Sequence, residues 1–308
     1  MKSAPGNELE LRPAGSGEAG SDEAEGVAVD WRHPVSAKLL DVTADEYHAI
    51  EAFSSSTAKI VLERSPGHAR IGLKKKPTKS LDGGNIIHRL LLGKGKGFDV
   101  IQHGDYKTKA AQAKRDAARD AGLVPVLAHE MEGYATAAEA IRVQLADRGI
   151  VLDGVSEQAI TWVEKTPHGD VLCKGMMDHV WPDVGIILDI KTCEDASQAA
   201  IERAAEKYNY AVQSTAYSRA LVALDPDLAG RVAFSFAFCE TSEPHAVNVT
   251  EPDGPFQELG LRRWLRAVNI WAECAARNHW PTTYGANVNP LSPPSWALAR
   301  EGFTADER

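Results

Sequence analysis

The chain has 308 residues, 44% hydrophobic and 25% charged, with a formal charge of -9, the balance of a globular protein. No apolar run approaches the roughly 18 residues of a membrane-spanning helix, and the first 30 residues lack the basic-then-apolar order of a secretory signal. Membrane-spanning and secreted readings are excluded first. The cysteines, Cys173, Cys193, Cys239 and Cys274, stand singly and far apart, which predicts reduced thiols in a cytoplasmic protein rather than a disulfide framework or a metal knuckle. A buried apolar role suits them better than a four-cysteine iron–sulfur cluster.

The net charge argues against a nucleic-acid partner, but its distribution reverses that impression. Residues 59–119 hold 15 Lys and Arg against 5 Asp and Glu, whereas the remainder holds 19 against 38. Three basic clusters, at Lys74, Lys75, Lys76 and Lys79, at Lys94 and Lys96, and at Lys107, Lys109, Lys114 and Arg115, could line one groove. The plain alternative is a solvated lysine-rich face.

Residues 1–28 are rich in Gly, Ala, Glu and Ser, and read as a disordered acidic leader. Thr43 and Glu46 have capping-box spacing, and the serines 54–56 can cap a helix running to Leu62. Helices are predicted over 81–92 and 128–148. The period then changes to two: strands are expected over 158–164, 171–181 and 185–190, forming a three-strand meander. Two helices, 196–207 and 210–224, precede strands at 232–238 and 245–250 and a long helix at 255–277. The Pro-rich segment 281–308 reads as a loosely packed tail pinned at most by Trp280 and Trp296. Residues 29–280 form one domain, and the order of elements gives a mixed α/β class.

Chemistry concentrates at the end of an apolar strand. In Gly185-Ile-Ile-Leu-Asp-Ile-Lys191, Asp189 and Lys191 share one face because strand side chains alternate. Asp178 stands eleven residues upstream on the preceding strand, so a hairpin through Pro182 and Gly185 lets the two carboxylates share a divalent ion with a backbone carbonyl, that of Ile190, and waters. Lys191 could then orient or help deprotonate a water, or offset charge on a phosphate under attack; its alternative is a salt bridge to Asp189. The tripeptide is cheap, since Asp105-Tyr106-Lys107 matches it too; only the copy at Asp189 has a buried-strand context. Gly84 and His88 lie one turn apart on a helix, as do Gln213 and Tyr217.

The ordered set Gly84-xxx-His88, Gly175-xx-Asp178, Asp189-x-Lys191 and Gln213-xxx-Tyr217 resembles the PD-(D/E)xK nuclease superfamily, in its RecB-like branch. With Tyr47-His48, Ser54-Ser55-Ser56, Lys107-Thr108-Lys109 and Tyr208-Asn-Tyr-Ala-Val-Gln213, the chain is most similar to the RecE-type (exodeoxyribonuclease VIII-like) exonuclease domain of phages and prophages, over about residues 45–250. The resemblance implies a restriction-endonuclease-like core, a central mixed sheet flanked by helices with a helical N-terminal part. It implies Mg²⁺, replaceable by Mn²⁺, held by Asp178 and Asp189, with Lys191 catalytic and His88 a further ligand or phosphate contact. Glu157 matches a glutamate common in these enzymes and is equally an exposed strand-start residue. Gln213 and Tyr217 would bind DNA or brace the site, and Lys74, Lys75, Lys76, Lys107 and Lys109 would track the DNA.

The implied activity is 5′→3′ digestion of linear double-stranded DNA by a homo-oligomeric ring in a bacterial host, leaving 3′ single strands for a RecT-type annealing partner. Two other readings stand beside it: a structure-specific or helicase-associated endonuclease with the same metal site, and a non-catalytic DNA-binding protein.

Overall fold

Side chains that satisfy orphan backbone N–H groups mark where the first helices begin. In a computed structural model describing residues 36–72, 78–282 and 290–302, the short strand β1 (Lys38–Leu40) leads into helix α1 (Ala44–Ala49). Thr43 and Glu46 close the expected capping box there, the Thr43 N–H donating to Glu46 Oε2 at 2.7 Å. After β2 (Phe53–Ser54), Ser54 caps α2 (Ser55–Glu63); α3 (Pro66–Ile71) and α4 (Lys79–Leu92) follow. An excursion of β3 (Phe98–Ile101), α5 (Lys109–Asp120) and β4 (Val124–Leu127) then leads to the long α6 (Ala128–Ala146). The meander consists of β5 (Val155–Glu164), β6 (Val171–Trp181) and β7 (Ile186–Cys193). Next come α7 (Gln198–Lys207), α8 (Tyr210–Leu224), β8 (Ala233–Glu240), β9 (Val247–Thr250) and α9 (Gly254–Ala276), and the tail carries α10 (Ser295–Arg300).

Strand order in the main sheet is β1-β5-β6-β7-β8-β9, with β2 added alongside β6. The meander is antiparallel and β8 is parallel to β7, so the sheet is mixed. Helices α2, α8 and α9 cover one face over a cluster that includes Trp162, Phe234, Phe236, Phe238 and Trp264; α4 and α6 cover the other over Leu188, Ile190, Ala237 and Cys239. Among the described residues no helix is long and apolar enough to cross a membrane.

Sheet topology creates a fork. β6 pairs with β5 along nearly its whole length, but on its other edge only 179–181 pair with β7, while Cys173 and Lys174 pair with β2. Asp178 lies in the gap between those neighbours. Burial alternation also slips here: Cys173 and Met177 face the larger cluster, and so does Val180, three residues after Met177. Glu157, flanked by the pairs Ser156–His179 and Gln158–Met177, lies across from Asp178 with φ of +50°, a left-handed conformation that costs a non-glycine residue energy.

Several elements lay outside the sequence reading. β1 and β2 have three and two residues, too short to show a period. Helix α5 has no large apolar stripe and buries only Ala111 and Ala118. β4, which contains Pro125, was not read from the sequence; it forms a two-stranded parallel pair with β3, where a proline is tolerated. The expected tail contains a helical turn; Trp280 packs edge-on against Trp271, whereas Trp296 is 65% exposed. The expected leader, 1–28, lies outside the described residues.

Candidate active site

The fork opens into a cleft of about 900 Å³ between α1, α4 and the ends of β6 and β7; its lining includes His48, Asn85, His88, Lys96, Asp178 and Lys191. α4 can approach β7 closely because residue 84 is glycine: a Cβ there would lie 2.6 Å from Thr192 Oγ1. One turn on, His88 reaches two carboxylates at once. Its Nδ1 is 3.1 Å from Glu157 Oε1 and its Nε2 is 3.2 Å from Asp178 Oδ2.

Among the described residues, His88, Glu157 and Asp178 are the one group of three His, Cys, Asp or Glu side chains whose ligating atoms lie within 4.8 Å of one another. Asp189 is not part of this group, and the two aspartates meet different partners. Asp189 shares the α8 side of β7 with Ile187, is fully buried, and is held by the Lys191 ammonium and by Gln213 Nε2, the latter at 2.5 Å. Asp178 turns toward α4, and its Oδ2 accepts the Ile190 N–H at 2.8 Å. Ile190 thus supplies an N–H that holds Asp178 in place.

Charge is balanced by proximity. Burial alone would lower the pKa of His88, but Asp178 and Glu157 outweigh it and hold it at about 10, so the metal-free site carries an imidazolium between two carboxylates. Burial pushes Asp178 upward; His88, Lys191 and the Ile190 N–H more than cancel this and keep it below the ordinary aspartate value. Asp189, buried more severely than Lys191 can offset, is raised to about 6. Burial would deprotonate Lys191, yet Asp189 and Asp178 keep its pKa above the ordinary lysine value. The ammonium also lies 5.0 Å from the Tyr210 ring centre, a favourable cation–π placement.

A divalent cation fits this donor set. Two carboxylates and an imidazole converge where the fold already needs a positive charge, and Gly95 leaves the approach open, since a Cβ there would lie 3.2 Å from Glu157 Oε1 and 3.6 Å from His88 Nδ1.

The remaining predicted residues divide. Gln213 joins the site through Asp189. Tyr217 does not reach the cleft: it is 7% exposed and packs so closely on β6 that a Cβ at Gly175 would lie 2.7 Å from its ring, so it braces the site and is removed from the DNA-contact set. Lys107 and Lys109 lie on the excursion and do not line the cleft. Lys74, Lys75 and Lys76 lie outside the described residues. Sequence reasoning missed Lys174, 9% exposed, whose Nζ donates to the carbonyls of Tyr47 at 2.9 Å and Ile50 at 2.8 Å and thereby fixes α1 as a cleft wall; its position next to Gly175 was the available signal.

Residues 51–287 match the profile of a family described as a PDDEXK-like domain of unknown function, DUF3799. The chain belongs to this family. The PDDEXK-like core it implies agrees with the mixed sheet and flanking helices and makes the chain a hydrolase of the nuclease class; PDDEXK nucleases use divalent metals, and the group His88, Glu157 and Asp178 is a possible site for one. The fold is shared with a candidate exonuclease from Eubacterium rectale, which aligns with a TM-score of 0.51 at 12% identity over 86% of this chain and 100% of that one. A phage-related exonuclease from Haemophilus somnus aligns with a TM-score of 0.33 at 12% identity, over 74% of this chain and 96% of that one. No curated protein matches the sequence.

Proposed function

We propose that this PDDEXK-like chain, with residues 29–280 as one catalytic domain, is a Mg²⁺-dependent exonuclease that digests linear double-stranded DNA 5′→3′ and leaves 3′ single strands for recombination by annealing. The observation that carries the catalytic part is the convergence of His88, Glu157, Asp178 and Lys191 in one cleft, with Lys191 paired to the buried Asp189 beneath it. Polarity, a RecT-type partner, a homo-oligomeric ring and a cytoplasmic, phage- or prophage-related setting rest on the RecE-type resemblance of the sequence.

His88, Glu157 and Asp178 would hold the ion, with hard oxygens suited to Mg²⁺ and the imidazole equally suited to Mn²⁺. When bound, the ion supplies an activated water and offsets charge on the scissile phosphate. Lys191, kept protonated by its carboxylate neighbours, directs its ammonium at a non-bridging phosphate oxygen rather than acting as a base. Asp189 aims that ammonium, and Gln213 fixes Asp189 by donating to its second oxygen. The exposed face of α4 and Lys96 receive the DNA backbone at the mouth of the cleft.

The test is digestion of linear duplex labelled at the 5′ or the 3′ end, with Mg²⁺ or EDTA, for the wild type and Lys191→Ala, beside closed-circular DNA. Early loss of 5′ label, dependent on metal and Lys191 and sparing the circle, is the expected result. Cutting of the circle would assign an endonuclease with the same site, and failure of the folded protein to cleave any DNA would overturn the enzymatic reading.

A further inference from the structure

The second Asp-x-Lys tripeptide, Asp105-Tyr106-Lys107, has no part in the catalytic cleft, but it forms the lip of another pocket. The β3–α5–β4 excursion and α4 enclose about 280 Å³ there, and Thr78, the N-cap of α4, lines both this pocket and the cleft. The two are neighbours along the first turn of α4.

Three features define what the pocket can accept. Its cations are already matched, Arg119 by Asp82 and Lys79 by Glu130 at 2.6 Å, so the interior offers no spare charge to a phosphate. The Tyr106 hydroxyl is buried yet has no hydrogen-bond partner among the described residues, a cost that a ligand with a polar edge would remove. The Tyr106 ring is itself held ready: Arg115 lies over it at 5.7 Å, Gln112 Nε2 donates to the Tyr106 carbonyl at 3.0 Å, and the Lys107 N–H donates to Asp105 Oδ1 at 2.8 Å. An uncharged planar group with hydrogen-bonding edges meets all three conditions. Outside, Lys109 and Lys114 are exposed on α5, placing positive charge on the rim where a phosphate backbone would run.

We infer that this pocket binds one unpaired nucleobase of a DNA strand that also occupies the cleft, stacked on the Tyr106–Arg115 pair with the Tyr106 hydroxyl on the base edge. A paired base cannot present its face to the ring, so the pocket favours single-stranded over duplex DNA at this position. The inference rests on the nuclease reading, because the strand is delivered by the cleft.

Single-stranded 12-nucleotide probes carrying 2-aminopurine at successive positions test it, bound to the full chain with Ca²⁺ replacing Mg²⁺, alongside the end-label digestion of duplex DNA. One position is expected to be quenched by the wild type. Tyr106→Leu should abolish that quenching and weaken binding about tenfold, as loss of one base-stacking side chain does; Arg115→Gln, on the exposed side of α5, should weaken it several-fold and decides the matter if Tyr106→Leu melts early. Wild-type cleavage of duplex DNA with undiminished binding and quenching in both variants overturns the pocket and leaves the nuclease standing. No binding and no cleavage by the wild type overturns both.

Discussion

The carboxylate of Asp178 accepts the backbone N–H of Ile190 at 2.8 Å, so an acidic side chain stands in for the strand partner that Ile190 lacks on that edge. β6 and β7 stop pairing at His179 and Leu188, and the Asp178 side chain spans the opening while its remaining lone pairs face His88. One residue thus maintains the fork and supplies the site that the fork exposes.

These two roles separate by substitution. Asp178→Asn keeps a carbonyl oxygen for Ile190, whereas Asp178→Ala leaves that N–H unsatisfied, at about 1–3 kcal/mol. Both should lower Mn²⁺ affinity and cleavage by more than about 100-fold, since even an outer partner of a metal ligand is worth 10–100-fold. Only Asp178→Ala should also lower the melting temperature of the metal-free protein. Calorimetric titration with Mn²⁺ beside thermal melts checks this, and normal metal affinity in Asp178→Asn would remove the trio as the ion's site.

Metal binding should release a proton. With the His88 pKa at about 10 in the metal-free site, the imidazole is protonated at pH 7.5 and must lose that proton to ligate. Titrations in buffers of different ionisation enthalpy should show about one proton released per ion at pH 7.5, and His88→Gln should release none. The raised pKa also sets a sign for stability. The contribution from His88 is fully present below about pH 6.5 and is lost as pH rises through about 10, so the metal-free protein should melt progressively lower over that window and His88→Gln should flatten the trend.

Much of this site was legible before the structure. The meander, the Asp-x-Lys strand and the helix carrying His88 all follow from periods of two and 3.6 and from the glycines that permit close packing. Glu157 was half legible: the family resemblance suggested a role, but its place opposite Asp178 depends on the β5–β6 register and on a left-handed backbone that no local pattern encodes. Gln213 and Tyr217 share a helix face by spacing, yet one meets Asp189 and the other is sealed under Gly175, because α8 descends from the cleft into the core over that turn. The hydrogen bond from the Ile190 N–H to Asp178 was hidden for a similar reason, because burial alternation along β6 slips around Asp178.

Removing Lys191 should expose the cost of burying Asp189. The Asp189 carboxyl is raised to about 6 even with the ammonium beside it, so in Lys191→Ala it is raised further. A carboxylic acid with an elevated folded pKa contributes stability present below its unfolded value and lost as pH rises through the folded one. Metal-free Lys191→Ala should therefore melt closer to the wild type at pH 5 than at pH 8, and Asp189→Asn in the same chain should restore the high-pH melting temperature. A pH-independent difference between Lys191→Ala and the wild type would contradict this account of the pair.

Away from the cleft, the larger core is organised around one charge. Glu164 is 1% exposed, and its Oε1 accepts from Trp162 Nε1 at 3.0 Å, Trp264 Nε1 at 2.9 Å and Arg219 Nε at 2.8 Å, while its Oε2 takes Arg219 Nη2 at 2.5 Å. These donors come from β5, α9 and α8, so the carboxylate ties the meander to the two helices that cover it. Taking away either partner of such a pair strands a buried charge or several donors, at about 3–5 kcal/mol. Glu164→Leu and Arg219→Leu should each destabilise by that amount in denaturant unfolding. The double variant, which removes both charges, should lose less than the sum of the two, because the second substitution eliminates the charge stranded by the first. Additive losses would mean that the two side chains act independently, contrary to the bidentate geometry.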